Sequence, residues 1–245
     1  MLLIAHRGSS GTAPENTLAA FRQALRDRAD MIELDVRLSA DGEPVVIHDR
    51  RLYRTTGVRG NVREWAVTEL EELNAGARFG RAYAGERIPR LATVLQTLPP
   101  TIGLNMEAKT DGDRRRAGLM VERLGGLLRS TAGRRDILVS SFDHAFLRQF
   151  HRRFPDVTIG VLYYAVRDFG RSPARLARRA GGTVFICSRA QVRTRWIQMA
   201  HAENISVLVY GVKSVRQMIA LRNRRVDGVI TDYPARLRRA LHPRA

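Results

Sequence analysis

The chain has 245 residues, 44% of them hydrophobic, which is enough for one well-buried domain of the size of an α/β barrel. One cysteine, Cys187, excludes an intrachain disulfide and a cysteine-built zinc site, and no apolar run approaches the ~20 residues of a membrane span. A formal net charge of +18 draws the chain toward anionic partners, and arginine carries nearly all of it, since Lys109 and Lys213 are the only lysines.

Met1 to Ala5 has neither the basic nor the apolar region of a signal peptide, so the expectation is a soluble, cytoplasmic protein. Short apolar runs of strand length then alternate with longer segments of helical period, the pattern of repeated β-α units around a parallel sheet. Strands are predicted near residues 2–5, 31–36, 102–107, 137–141, 158–162, 184–187, 206–210 and 228–231, which makes eight. Residues 17–28 form an amphipathic stretch with Leu18, Phe21, Ala24 and Leu25 on one face, and 143–153 a second with Ala145, Phe146, Leu147 and Phe150. Asn16 and Asp143 are the expected helix N-caps. The run 44–48 breaks the alternation. Only a short turn with Asp41-Gly42 separates it from the strand before, and a parallel crossover needs about a dozen residues, so it must fold back antiparallel. Counting outward from that turn brings His48 close to Asp35. Residues from about 50 to 100 then form a long excursion before the third barrel strand, with a helix near 67–73.

The polar residues that carry chemistry cluster at predicted strand ends, where barrels of this class keep their functional groups. Strand one ends in His6-Arg7-Gly8, strand two carries Glu33 and Asp35, the hairpin ends in His48-Asp49, and the third barrel strand carries Glu107 and Lys109. Residues two apart project to one face of a strand. Three carboxylates facing one mouth repel each other unless a cation lies among them. With oxygen ligands and no cysteine, a single divalent ion, Mg2+ or Ca2+, is favoured over zinc, and Mn2+ is also compatible. His6 and His48 suit an acid and base pair, because imidazole titrates nearest neutral pH. Arg7 and Lys109 are cationic donors suited to a phosphate. His144, His151, His201 and His242 lie on or beside predicted helices. The arginine runs 114–116, 134–135, 178–179 and 224–225 also flank helices, with no interleaved aromatics to stack bases, so no nucleic-acid partner is expected. The charge leaves room for peripheral contact with anionic lipid.

Taken together, His6-Arg7-Gly8, Pro14-Glu15-Asn16-Thr17, Glu33-Leu34-Asp35-Val36, Asp41-Gly42 through His48-Asp49, Arg54-Thr55-Thr56, Ile88-Pro89, Asn105 to Lys109, Ser140-Ser141-Phe142 and Asp227 to Asp232 resemble the glycerophosphodiester phosphodiesterase family from end to end. The resemblance implies a TIM-type (β/α)8 barrel with a small insertion after a catalytic hairpin, here about residues 50–90. It also implies metal-dependent hydrolysis of a small glycerophosphodiester to glycerol 3-phosphate and an alcohol. It casts Glu33, Asp35 and Glu107 as metal ligands, His6 and His48 as acid and base, and Arg7 and Lys109 as phosphate contacts. Glu15, Asn16, Phe142 and Tyr210 would shape the site. By analogy with related barrels the nucleophile is the substrate's glycerol 2-hydroxyl, with direct attack by water as the alternative. The chain departs from the family at the seventh barrel strand, where Tyr210-Gly211-Val212-Lys213 replaces a common Trp-Thr-Val-Asn and touches the alcohol side of the pocket. A lyso-lipid hydrolase and a catalytically silent phosphate-binding barrel are the competing functions.

Overall fold

The structure, a computed structural model, describes residues 1–129 and 136–241; Arg134, Arg135 and His242 lie outside the described residues. Among the described residues nine strands follow one another as β1 (Leu2–His6), β2 (Met31–Leu38), β3 (Pro44–Val46), β4 (Gly103–Ala108), β5 (Ile137–Ser141), β6 (Thr158–Leu162), β7 (Val184–Ser188), β8 (Ser206–Tyr210) and β9 (Gly228–Thr231). All except β3 pair in parallel, and the pairing of β1 with both β9 and β2 closes an eight-stranded barrel. Most of the expected strands begin and end within two residues of their predicted positions.

β3 runs antiparallel to β2, as its short connection requires. The lower part of β2, Met31 to Glu33, pairs with β1, whereas its upper end overhangs the barrel and pairs Val36 with Val46 and Leu38 with Pro44. The register brings His48 close to Asp35, as counting outward from the turn predicts. Ile47 N donates to the Asp35 carbonyl at 3.0 Å, so Ile47 lies opposite Asp35 and His48 comes next, its own carbonyl held by Arg37 Nε at 2.8 Å.

Two apolar compartments build the barrel. Strand residues facing outward, such as Leu34, Met106, Val139 and Phe185, pack with the surrounding helices through Phe21, Phe146 and Phe150. Those facing inward, Ile4, Leu138, Leu162, Ile186, Leu208 and Ile230, fill the interior. Residues 50 to 90 carry a smaller core of Leu52, Val62, Val67, Leu70 and Ile88 against Val45 and Ile47. The helix expected there spans Val67–Glu72. Among the described residues no helix is long and apolar enough to cross a membrane.

One predicted cap is displaced. The helix after β1 spans Leu18–Arg26 and is capped by Thr17, whose side chain accepts from Ala20 N, and not by Asn16. Asn16 stands at φ 57°, a left-handed conformation that asparagine tolerates, and turns its amide into the barrel mouth. Asp143 caps the helix His144–Arg153 as expected.

Candidate active site

Strand register assembles the cluster at the C-terminal mouth. β1 places His6 beside Glu33, and β4 places Glu107 beside Asp35. Glu33, Asp35 and Glu107 therefore meet, with one carboxylate oxygen from each lying within 4.8 Å of the others. Lys109 Nζ stands 3.0 Å from Asp35 Oδ1 and bonds Glu107, and Arg7 Nε stands 3.2 Å from Asp35 Oδ2.

The turn after β1 is built for this proximity. Arg7 adopts φ 54° and Gly8 φ 79°, and a Cβ on Gly8 would meet the Ala20 carbonyl carbon at 2.6 Å, so only glycine fits there. The turn aims Arg7 N at Glu33 Oε2, 2.8 Å away. Asn16 Nδ2 donates to Asp35 Oδ2 at 2.8 Å while Asp35 N donates to Asn16 Oδ1 at 3.2 Å, a reciprocal clamp on a buried carboxylate. Glu15 lies one step back, accepting from Arg7 Nη1 at 3.0 Å and from both terminal nitrogens of Arg54. Arg54 also pairs with Asp49 and so joins the insertion to the site.

Each histidine has a carboxylate behind it. His6 Nδ1 is 2.6 Å from Asp232 Oδ1 and His48 Nδ1 is 2.7 Å from Asp49 Oδ1, which leaves Nε2 as the free nitrogen of both rings. Asp232 belongs to a motif visible in the sequence, yet its partnership with a residue 226 positions away was not legible there. Elsewhere, His144 Nε2 bonds the Leu162 carbonyl and His201 pairs with Asp227, both outside this cluster.

The mouth encloses about 220 Å³, lined by His6, Arg7, Glu33, His48, Glu107 and Lys109, and its wall also includes Phe142, Tyr210, Asn105 and Ser140 above Leu162 and Ile230. The sequence motifs include Asn105 and Ser140 but assign them no role; Ser140 Oγ donates to Asn105 Oδ1 at 2.8 Å. A larger cavity of about 630 Å³ opens among the strand starts Leu2, Leu138, Thr158 and Leu208, and it holds none of these histidines or clustered carboxylates.

Burial and mutual repulsion oppose full ionisation of the three acids. Burial pushes the Glu33 carboxyl up to about 8, reinforced by the charge of Asp35. Burial also opposes ionisation of Asp35, but Lys109 and Arg7 outweigh it and hold that carboxyl below the ordinary range. Glu107 is raised by burial and by Asp35 despite Lys109. His6 is raised although burial lowers it, because the Asp232 hydrogen bond and the Glu33 charge prevail. His48 is lowered by burial, with Lys109 and Arg7 adding to the effect against Asp35.

A divalent cation fits this donor set. Three carboxylates converge, and buried Asp35 Oδ1 accepts no hydrogen bond of good geometry.

The sequence profile of the glycerophosphoryl diester phosphodiesterase family matches residues 6–236. The chain is 36% identical to the Bacillus subtilis (strain 168) protein YhdW, over 96% of this chain and 95% of that one. It is 34% identical to a glycerophosphodiester phosphodiesterase of Caldanaerobacter subterraneus subsp. tengcongensis, covering 96% of each. Its fold matches that of an Oleispira antarctica phosphodiesterase solved with the product sn-glycerol-3-phosphate, at a TM-score of 0.91 and 28% identity, over 98% of this chain and 96% of that one. With the profile spanning the whole barrel and the likenesses running nearly end to end, the chain belongs to the glycerophosphoryl diester phosphodiesterase family and is a phosphoric diester hydrolase.

Proposed function

We propose that the protein hydrolyses a small glycerophosphodiester to glycerol 3-phosphate and an alcohol, with Glu33, Asp35 and Glu107 holding one divalent cation. The observation that carries this reading is the pair of histidines, each backed by its own carboxylate, beside a cluster of three converging acids. The cation, when bound, supplies charge neutralisation at the phosphate's non-bridging oxygens. Arg7 and Lys109 turn from the carboxylates to the phosphate, Arg7 through its planar fork and Lys109 as a point charge. His6, kept protonated by Asp232, donates from Nε2 to the leaving alkoxide, which is otherwise a poor leaving group. His48, held neutral, takes the proton of the attacking hydroxyl at its own Nε2. That hydroxyl is the glycerol 2-hydroxyl, and water then opens the cyclic phosphate.

Turnover of glycerophosphocholine and lysophosphatidylcholine, before and after exhaustive chelation and with Mg2+, Ca2+ or Mn2+ restored, tests the assignment. Glycerophosphocholine is expected to be the better substrate, with activity lost on chelation and regained with a metal. Preference for the lyso-lipid, or full activity in chelator, would overturn it. A diester whose glycerol lacks the 2-hydroxyl should be inert if attack is internal, and turnover of that analogue would assign attack to water.

A further inference from the structure

The rim of the barrel mouth beside β6 carries the two most exposed large apolar side chains among the described residues. Val166 is 82% and Phe169 84% exposed, and no other large apolar side chain exceeds 54%. A short helical turn, Ala165–Asp168, presents them. Asp168 turns inward and is fully buried, accepting from Tyr164 N at 2.9 Å and from Arg167 Nε and Nη2 at 3.0 Å. The turn is thus pinned from below, while Val166 and Phe169 face solvent.

Around this turn lies a basic basin of about 380 Å³, whose wall includes His144, Arg148, Arg167, Arg171 and Arg179. Arg148 and Arg179 make no ion pair among the described residues, and Arg171 approaches Asp168 only to 3.8 Å. The basin adjoins the active site. Tyr164 meets Phe142 edge to face, with ring centroids 6.4 Å apart, and Phe142 lines the catalytic mouth. Arg167 also lines a hollow that it shares with Glu107 and Lys109.

We propose that this rim, with the apolar tips Val166 and Phe169 set among Arg148, Arg167, Arg171 and Arg179, docks the barrel mouth onto an anionic lipid surface. Lipid interfaces reward this combination, because apolar side chains enter the boundary between headgroups and acyl chains while arginines meet the headgroup phosphates. A free phosphate or a nucleic acid would engage the arginines and leave two large apolar side chains in water. An apolar protein groove would take the tips and leave several like charges uncompensated. The docking does not depend on the reaction assigned above.

Co-sedimentation of the full chain with phosphatidylcholine vesicles, with and without a phosphatidylglycerol fraction, tests this. The protein is expected to partition onto the anionic vesicles. Replacing Val166→Ser and Phe169→Ser together keeps every charge and should weaken partitioning by ~10-fold or more. The triple change Arg148→Ser, Arg171→Ser and Arg179→Ser should cost about fivefold per arginine. Arg22→Ser, Arg26→Ser and Arg239→Ser remove the same charge from helices after β1 and β9, on the far side of the barrel, and should cost much less. Thermal melting of each variant reports that it is folded. Parent-level binding by the tip variant, or equal losses in the two arginine triples, would reduce the effect to bulk charge and overturn the docking. Phosphate retention by calorimetry without any vesicle binding would identify a free-anion basin and overturn it as well.

Discussion

The two ends of the barrel interior are made by the same faces of the same strands, yet they obey opposite physics. Ile4 lies below His6 on β1, Leu138 below Ser140 on β5, and Leu208 below Tyr210 on β8, because residues two apart point the same way. At the lower level the inward side chains are aliphatic, and burial alone stabilises them. At the mouth the same alternation delivers Glu33, Asp35 and Glu107 into one small volume, where burial opposes their charge and neighbouring cations and hydrogen bonds relieve it. A single pleat thus carries both the apolar plug that stabilises the barrel and the charge cluster that burdens it. Stability and chemistry are separated by one step along each strand.

The sharpest way to break that contrast is to remove a ligand. Glu107→Gln is expected to lower turnover by more than ~10⁴ and to weaken metal binding with it, measured by steady-state kinetics and by metal titration calorimetry. Unchanged metal affinity would remove Glu107 from the ligand set. One level less severe, His6→Ala or His48→Ala should each cost ~10²–10⁴ in turnover while metal affinity stays near the parent's. A diester with a much better leaving group should largely rescue His6→Ala alone; rescue of His48→Ala instead would exchange the acid and base assignments.

Below the mouth the expectation inverts. Ile186→Ala leaves a cavity in the apolar layer and should cost ~2–5 kcal/mol of stability, read by denaturant unfolding, with turnover of the surviving fold nearly unchanged. A large fall in turnover without loss of stability would show that the two levels are not separable.

The smallest effect concerns pH. The folded-state value of Glu33, about 8, lies above its ordinary 4.5, so the unfolded chain gives up this proton first. The stability of the metal-free protein should therefore fall as pH rises from about 4.5 to about 8. Thermal melts of metal-free Glu33→Gln should lack that component and run roughly 5 °C or more above the parent at the alkaline end. Parallel pH profiles for the two proteins would show that Glu33 is not the strained acid.

Much of this was legible in residue order. The alternation of strand and helix periods marked the barrel, because the inward and outward faces of each strand must be apolar for separate reasons. A connection too short for a crossover made β3 antiparallel, and spacing by two placed Glu33 with Asp35 on one face. The aliphatic strand starts and acidic strand ends already distinguished floor from mouth.

Tertiary structure alone decided which groups meet across the closure. Barrel closure brings β9 beside β1, so Asp232 becomes the partner of His6, and only inter-strand register sets Glu107 opposite Asp35. Asn16 reads as a helix cap from its neighbours, but the left-handed turn after β1 sends its amide to Asp35 and leaves the cap to Thr17. Local sequence determines where each side chain can point, through strand and helix period. Which distant side chain it meets depends on how many residues each turn consumes and on the register at which the sheet closes.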